Sequence, residues 1–150
     1  MGEKRLTSYC GLYCLDCIPS NKCLFEALEK FENQLNKAEF VKYAQIKSGS
    51  NTAFKKYTDF LEVLSAIKNL ECKAPCRENG GFVDCEIRSC AMNKNYEGCW
   101  ECASFKNCKL LVPIKKIHST LSYNLALIKN KGVERWSAKR GKHYARSKIT

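Results

Sequence analysis

The feature that most restricts the fold of this chain is a repeated spacing among its eleven cysteines. The motif C-x2-C-x5-C begins at Cys14 and again at Cys99, and both gaps are the same. A further cysteine precedes each copy, at Cys10 and at Cys90. A C-x2-C pair places two thiolates on one tight turn, where they can take two corners of a tetrahedron around a metal about 2.3 Å from each sulfur. The repeat therefore predicts a metal-binding device that is used twice.

All eleven cysteines are candidate metal ligands: Cys10, Cys14, Cys17, Cys23, Cys72, Cys76, Cys85, Cys90, Cys99, Cys102 and Cys108. One division gives two quartets, Cys10, Cys14, Cys17, Cys23 and Cys90, Cys99, Cys102, Cys108. The remaining three cysteines would then need a fourth ligand, which His118 or His143 can supply. Ligands exchanged between the two regions fit the spacing equally well. We expect two or three zinc ions and no catalytic residue.

The rest of the sequence predicts a mainly α fold, a small helical scaffold that carries irregular cysteine-rich loops and little β structure. Apolar residues recur at helical spacing from Leu24 to Ala38 and from Phe54 to Ile67, with a break at 48–51. A further helix is predicted to start at Pro113 and to end at Gly132. We expect one domain in four pieces: a first cysteine motif (1–23), a helical pair (24–71), a second cysteine-rich segment (72–112), and a helix with a basic tail (113–150).

The segment 72–108 is too poor in apolar residues to order itself by burial. It holds five Leu, Ile, Val, Phe or Met residues, against fifteen in 24–70, but it holds seven of the cysteines. Fixing the backbone costs about 1 to 2 kcal/mol per residue. Structural zinc binds small peptides with about 10 to 16 kcal/mol of apparent free energy, so metal can replace the missing core.

The chain is basic, and much of this charge lies at its C-terminal end. The formal net charge is +11, and residues 129–150 contribute +7 of it. Each four-cysteine zinc site adds a net −2, so two sites would leave +7. Lysines and arginines interleaved with Trp136, His143 and Tyr144 predict contact with nucleic acid or another acidic partner, although a solvated terminus is the usual meaning of such a run.

Other interpretations of the thiols remain open. The charged N-terminus lacks a secretory signal, and no run is long enough to span a membrane. We therefore expect a cytoplasmic protein with no membrane partner. Disulfides are rare in the cytoplasm. An iron–sulfur cluster is the main alternative to zinc, since four cysteines hold either. The spacing of Cys10, Cys14 and Cys17 also occurs in radical S-adenosylmethionine enzymes. Such enzymes need a large βα barrel, for which this short, helix-rich chain has no room. Cys99-Trp-Glu-Cys102 as a redox pair would need a preceding strand. The sequence does not predict an oligomeric state.

Four ordered motifs resemble the family catalogued as domain of unknown function 3795: C-G-x2-C-x2-C from Cys10, C-R-x2-G-G from Cys76, C-x-I-R-x-C-A from Cys85, and G-C-x2-C-x2-F-x2-C from Gly98. The resemblance runs from about Ser8 to Trp136. It implies zinc binding without an assigned activity. The ligands that it implies are Cys10, Cys14, Cys17, Cys76, Cys85, Cys90, Cys99, Cys102 and Cys108. Cys72 stands one residue further from Cys76 than in many members of the family.

Overall fold

The computed structural model describes residues 2–141. Within this range the protein is mainly helical, as predicted, and has no strand beyond one antiparallel bridge between Thr7 and Tyr13. The α-helices are α1 (Glu3–Leu6), α2 (Lys22–Lys37), α3 (Phe40–Lys47), α4 (Tyr57–Lys68), α5 (Glu86–Asn93), α6 (Val112–Ile117) and α7 (Leu121–Lys131). Short 3₁₀ turns connect them, at Cys14–Asp16, Ile18–Ser20, Thr52–Lys56, Cys76–Glu78, Cys99–Glu101, Phe105–Asn107, Lys109–Leu111 and Ser137–Lys139.

The chain forms two compact units, and one is inserted into the other. The first unit consists of Met1–Ser20 and Cys72–Thr150, and the second is Asn21–Glu71. Where the first unit resumes, the Cys72 amide donates a 2.8 Å hydrogen bond to the carbonyl of Pro19. The two chain segments of the first unit are therefore in contact just before and just after the second unit in the sequence.

The second unit holds three helices where the periodicity predicts two. The additional break falls between α2 and α3, at Glu39, whose φ of 48° is in the left-handed region. The predicted break at 48–51 is present, and the Asn51 side chain accepts a hydrogen bond from the Ala53 amide as the next turn begins. The core of this unit is small, since only Phe25, Ala44 and Leu64 are buried within it.

The core of the first unit forms around α7. Its fully buried side chains are Leu111, Leu121, Leu125, Ile128 and Trp136, and the cysteine-rich segments contribute Tyr13, Ile87, Trp100 and Phe105. The long helix predicted from Pro113 is divided into α6 and α7 by residues 118–120. Pro113 does lie in the first turn of α6, and Gly132, at φ 81°, does end α7.

Trp136 is a core residue and not part of an exposed basic tail. It is fully buried, and its indole Nε1 donates a 2.9 Å hydrogen bond to the Thr7 hydroxyl. Trp136 is therefore not available for the contact with nucleic acid that the sequence predicts, because its ring fills the core. His143 and Tyr144, the other two rings in that prediction, lie outside the described residues.

The segment 72–108 contains a helix that its sequence did not predict. Helix α5 buries Ile87, Arg88 and Ala91. Eight residues give too few turns for a helical pattern to stand out, and a buried arginine breaks the pattern further.

No helix in residues 2–141 combines the length and the apolar composition that crossing a membrane requires.

Candidate metal centre

The two C-x2-C motifs have the same backbone structure. In each, a 3₁₀ turn begins at the first cysteine, and the amide of the second donates to the carbonyl of the first, at 3.0 Å for Cys17 and 3.2 Å for Cys102. The carbonyl of the second cysteine then accepts a hydrogen bond from the amide three residues later, which is that of Ser20 in the first motif and that of Phe105 in the second. The sequence repeat is thus also a repeat of local structure.

The third cysteines of the two motifs differ in their surroundings. Cys108 is partly buried and packs against the core of the first unit. Cys23 lies in the second unit, in the first turn of α2, and is exposed. The other ten cysteines all belong to the first unit, where the arrangement described below is found.

Four cysteines line one pocket of the first unit: Cys90, Cys99, Cys102 and Cys108. They are the second quartet of the sequence analysis. The rest of the lining is mostly apolar and includes Ile87, Ala91, Phe105 and Leu111. The cavity volume is about 60 Å³, which is small beside the roughly 300 to 1,000 Å³ of sites for organic ligands. We call this site the four-cysteine pocket.

Two thiols of the four-cysteine pocket, Cys99 and Cys102, have pKa values shifted in opposite directions. The pKa of Cys99 is raised to about 12, mainly by burial and also by the neighbouring thiols of Cys10, Cys108, Cys90 and Cys102. The pKa of Cys102 is lowered, because its sulfur is hydrogen-bonded to the hydroxyl of Ser104, 3.3 Å away, and to the Ser104 amide. Cys102 therefore loses its proton at a lower pH than Cys99 does.

A second group of thiols joins the N-terminal motif to the later segment. Burial raises the pKa of Cys14, a hydrogen bond with the Cys76 backbone opposes that shift, and the thiols of Cys76, Cys72 and Cys17 add to it. The Cys72 sulfur donates to the Ala74 carbonyl at 2.9 Å and accepts from the Gly81 amide at 3.1 Å. We call Cys14, Cys17, Cys72 and Cys76 the joining cluster.

Cys10 interacts with both groups of thiols. Its pKa is raised to about 11, mainly by burial and also by the thiols of Cys76 and Cys85, while the Ser8 hydroxyl and the Leu12 backbone oppose the shift. Among the neighbouring thiols, Cys10 contributes most to the raised pKa of Cys99. The structure therefore brings cysteines from the two halves of the sequence together, which the spacing alone left open.

The thiols do not form a finished coordination sphere. Among residues 2–141, no three His, Cys, Asp or Glu side chains converge as metal ligands. None of the cysteines is joined to another by a disulfide. His118 lies between α6 and α7, and His143 lies outside the described residues, so their roles as additional ligands stay predictions.

Sequence reasoning missed a buried arginine that holds one cysteine-rich loop. Arg88 donates hydrogen bonds to the carbonyls of Cys76, Gly80, Phe82 and Val83, at 3.2, 2.9, 2.7 and 2.7 Å. Gly80 has no room for a side chain, since a Cβ would lie 1.5 Å from the Ala74 oxygen. The loop between Cys76 and Cys85 is therefore fixed by polar contacts rather than by apolar packing.

A second arginine contacts the turn that begins at Cys99. The Arg77 guanidinium lies 4.6 Å from the ring centroid of Tyr9 and 5.6 Å from that of Trp100, which is inside the turn. It also donates to the carbonyls of Thr7 and Glu97, at 2.8 and 2.7 Å. Arg77 thereby connects the residue next to Cys10 with the C-x2-C turn of the four-cysteine pocket.

A third arginine contacts the turn that begins at Cys14. Arg140 binds both carboxylate oxygens of Asp16, at 2.5 and 2.6 Å, and lies 4.5 Å from the ring centroid of Tyr13. Both side chains of the ion pair are largely buried, at 13% and 10% exposure. Residues near the C-terminus thus fix the N-terminal C-x2-C turn. The two residues are 124 positions apart, and no pattern in the sequence pairs them.

Comparisons with known proteins give a family but no described relative. The comparison with curated proteins and the comparison with solved structures each found no match. The family model DUF3795, described as a protein of unknown function, matches residues 6–113. All eleven cysteines lie within this range, whereas α7 and Trp136 lie beyond it. The resemblance seen in the cysteine motifs is confirmed, and the chain belongs to the DUF3795 family.

Proposed function

We propose that this protein is a non-catalytic zinc-binding protein, in which the cysteines of the first unit hold structural metal ions. The observation that supports the proposal most strongly is the four-cysteine pocket, where Cys90, Cys99, Cys102 and Cys108 line one small cavity. Zinc in structural sites takes four protein ligands in a tetrahedron, and sets of four cysteines are common among them. A site closed by four thiolates leaves no open position for a substrate.

The chemistry of these thiols fits a bound cation. Burial and the neighbouring thiols disfavour the ionised form of Cys99, so an added positive charge favours the state with four thiolates. A divalent ion reverses this balance, because it binds thiolates and releases their protons. When bound, zinc would act as a cross-link between segments that are distant in sequence.

The joining cluster supports a second ion. The thiols of Cys76, Cys72 and Cys17 each act electrostatically on Cys14, and the four cysteines come from both segments of the first unit. We propose one zinc ion for this cluster and one for the four-cysteine pocket, with Cys10 and Cys85 between them. Cys23, which is exposed in the first turn of α2, is not required in this scheme.

An iron–sulfur cluster is the alternative cofactor, because the apolar lining of the four-cysteine pocket suits a cluster as well. Elemental analysis of protein purified without oxygen separates the two. We expect a colourless protein with about two zinc ions per chain. A brown protein that contains iron and sulfide and absorbs visible light would replace zinc with a cluster. A protein that contains neither metal would overturn the proposal.

A further inference from the structure

The second unit carries a segment whose composition differs from the rest of that unit. Residues 40–57 contain four lysines, four aromatic residues and no Asp or Glu. The other residues of the unit contain four lysines against seven acidic residues, a net charge of −3. The segment, which we call the lysine–aromatic segment, consists of α3, the following loop, the Thr52–Lys56 turn and the first residue of α4.

The aromatic rings hold the two parts of this segment together. The ring centroid of Phe40 lies 5.4 Å from that of Tyr43, 6.3 Å from that of Phe54 and 5.4 Å from that of Tyr57. These contacts join α3 to the turn and to the start of α4. The cluster is not closed off from solvent, because Tyr43 is 46% exposed and the other three rings are half-buried.

The four lysines of the segment are all exposed. Lys42 pairs with Glu39 at 2.7 Å, and the Lys47 ammonium lies 5.6 Å from the ring centroid of Tyr43. Lys55 and Lys56 separate Phe54 from Tyr57 in sequence. Among the described residues, no carboxylate forms an ion pair with Lys47, Lys55 or Lys56. Positive charge is thus concentrated beside exposed aromatic surface.

We propose that the lysine–aromatic segment binds single-stranded nucleic acid. Proteins that bind single strands combine cations along the backbone with aromatic rings on which bases stack, which is the combination found here. An acidic protein partner would use the lysines but would leave Tyr43 without a role. The acidic remainder of the unit repels a polyanion elsewhere, so it favours this one contact surface. This proposal does not depend on whether the first unit binds metal.

The salt dependence of binding tests the lysines. The probe is a fluorescein-labelled oligothymidylate of about 12 nucleotides, and anisotropy measured at several salt concentrations gives the affinity of the full chain. Each neutralised phosphate contributes about −0.7 to the slope of log K against log salt for a single strand. We therefore expect the double variant Lys55→Gln/Lys56→Gln to lose affinity and to reduce the slope by about 1.4.

A matched control keeps the net charge equal. The variant Lys30→Gln/Lys37→Gln removes two exposed lysines from α2, outside the lysine–aromatic segment. We expect it to keep the wild-type slope. An equal loss in both double variants would overturn the proposal, since binding would then follow net charge and not this surface. Binding unaffected by either variant would assign the contact to the basic residues 129–150 and would also overturn it.

Replacement of Tyr43 tests the stacking. Stacking of a base on an aromatic ring is worth about 1 to 3 kcal/mol, so Tyr43→Ala should weaken binding about tenfold. The salt slope should not change, because no phosphate contact is lost. Tyr43→Phe keeps the ring and its packing on Phe40, and should bind like the wild type. Circular dichroism of each variant checks that the helical content of the chain is unchanged.

A polyanion without bases provides the last comparison. Heparin should compete weakly with the oligothymidylate for a given number of charges, because it cannot stack on Tyr43. If heparin or polyglutamate competes equally and Tyr43→Ala binds normally, the surface is a general polyanion site and the nucleic-acid proposal is wrong. If the wild-type chain fails to bind the oligothymidylate at low salt, the proposal is wrong as well.

Discussion

The side chain of Arg88 organises a loop that has almost no apolar core of its own. Its guanidinium satisfies four backbone carbonyls between Cys76 and Val83, while the side chains of Phe82 and Val83 are 88% and 82% exposed. Buried carbonyls that lose their donors bear a desolvation cost, and hydrogen bonds to charged groups are stronger than neutral ones. The conformation of this loop therefore depends on one residue.

Replacement of Arg88 by Met should lower the free energy of unfolding by about 3 kcal/mol, since the carbonyls lose a charged donor while most of the side-chain volume is kept. Urea denaturation followed by tryptophan fluorescence measures the change, because both tryptophans, Trp100 and Trp136, are buried in the first unit. The control is Arg135→Met, at an exposed position, which should change the stability by less than about 0.5 kcal/mol. Equal stability of the two variants would contradict the role given to Arg88.

The raised pKa values of Cys10 and Cys99 predict how the metal-free protein responds to alkali. Folding raises these pKa values to about 11 and about 12 from 9.0, so the folded state favours the neutral thiols. Their contribution to stability is complete below pH 9 and is lost as the pH rises toward 11 and 12. We expect the urea midpoint of chelator-treated protein to fall through this range.

The metal-loaded protein should show the opposite dependence. Protons compete with zinc for thiolates, so its urea midpoint should fall on acidification and not on a moderate rise in pH. Comparing the two pH profiles separates thiol titration from metal binding. Identical profiles with and without chelator would mean that no metal contributes to stability.

At the level of elements, much of the helical plan is readable from the sequence, because local patterns determine it. Asn51 at the break and Gly132 at the end of α7 act through their own backbone or side chain, as predicted. The repeated C-x2-C turns are equally local. In contrast, the breaks at Glu39 and at 118–120 have no comparable sequence signal and divide helices that periodicity alone would join.

The contacts that gather the cysteines are not local, and this part of the site could not be predicted. Cys14 is hydrogen-bonded to the backbone of Cys76, more than sixty residues away in the sequence. Arg140 is paired with Asp16, more than one hundred residues away. Spacing within a motif identifies candidate ligands but does not say which motifs share a metal. The burial of Trp136 could not be predicted for the same reason, since its partner Thr7 is distant in the sequence.

The meeting of Pro19 and Cys72 predicts that the second unit can be removed. A chain in which residues 21–71 are replaced by a Gly-Ser linker of about four residues should still fold its first unit, because the ends to be joined are already adjacent. The measurement is the tryptophan emission spectrum, which should match that of the full chain and keep the maximum of buried indoles. A red-shifted emission typical of solvent-exposed tryptophan would show that the first unit needs the insertion.

At the scale of the whole molecule, the two units divide the chemistry of the chain. The first contains ten of the eleven cysteines and the tryptophan-centred core, whereas the second contains the lysine–aromatic segment. The proposed metal binding of the first unit and the proposed nucleic-acid binding of the second unit can therefore be tested separately. The basic residues 129–150 add a third feature, whose binding to an acidic partner stays a prediction.

The central claim is that cysteines of the first unit, and not Cys23, hold zinc. Native mass spectrometry of the wild type, Cys23→Ser and Cys99→Ser tests it most directly, because the mass excess over the denatured chain counts the bound ions. We predict about two zinc ions in the wild type and in Cys23→Ser, and one fewer in Cys99→Ser, whose pocket loses a ligand. A wild-type chain without metal, or the same loss in Cys23→Ser as in Cys99→Ser, would contradict the account.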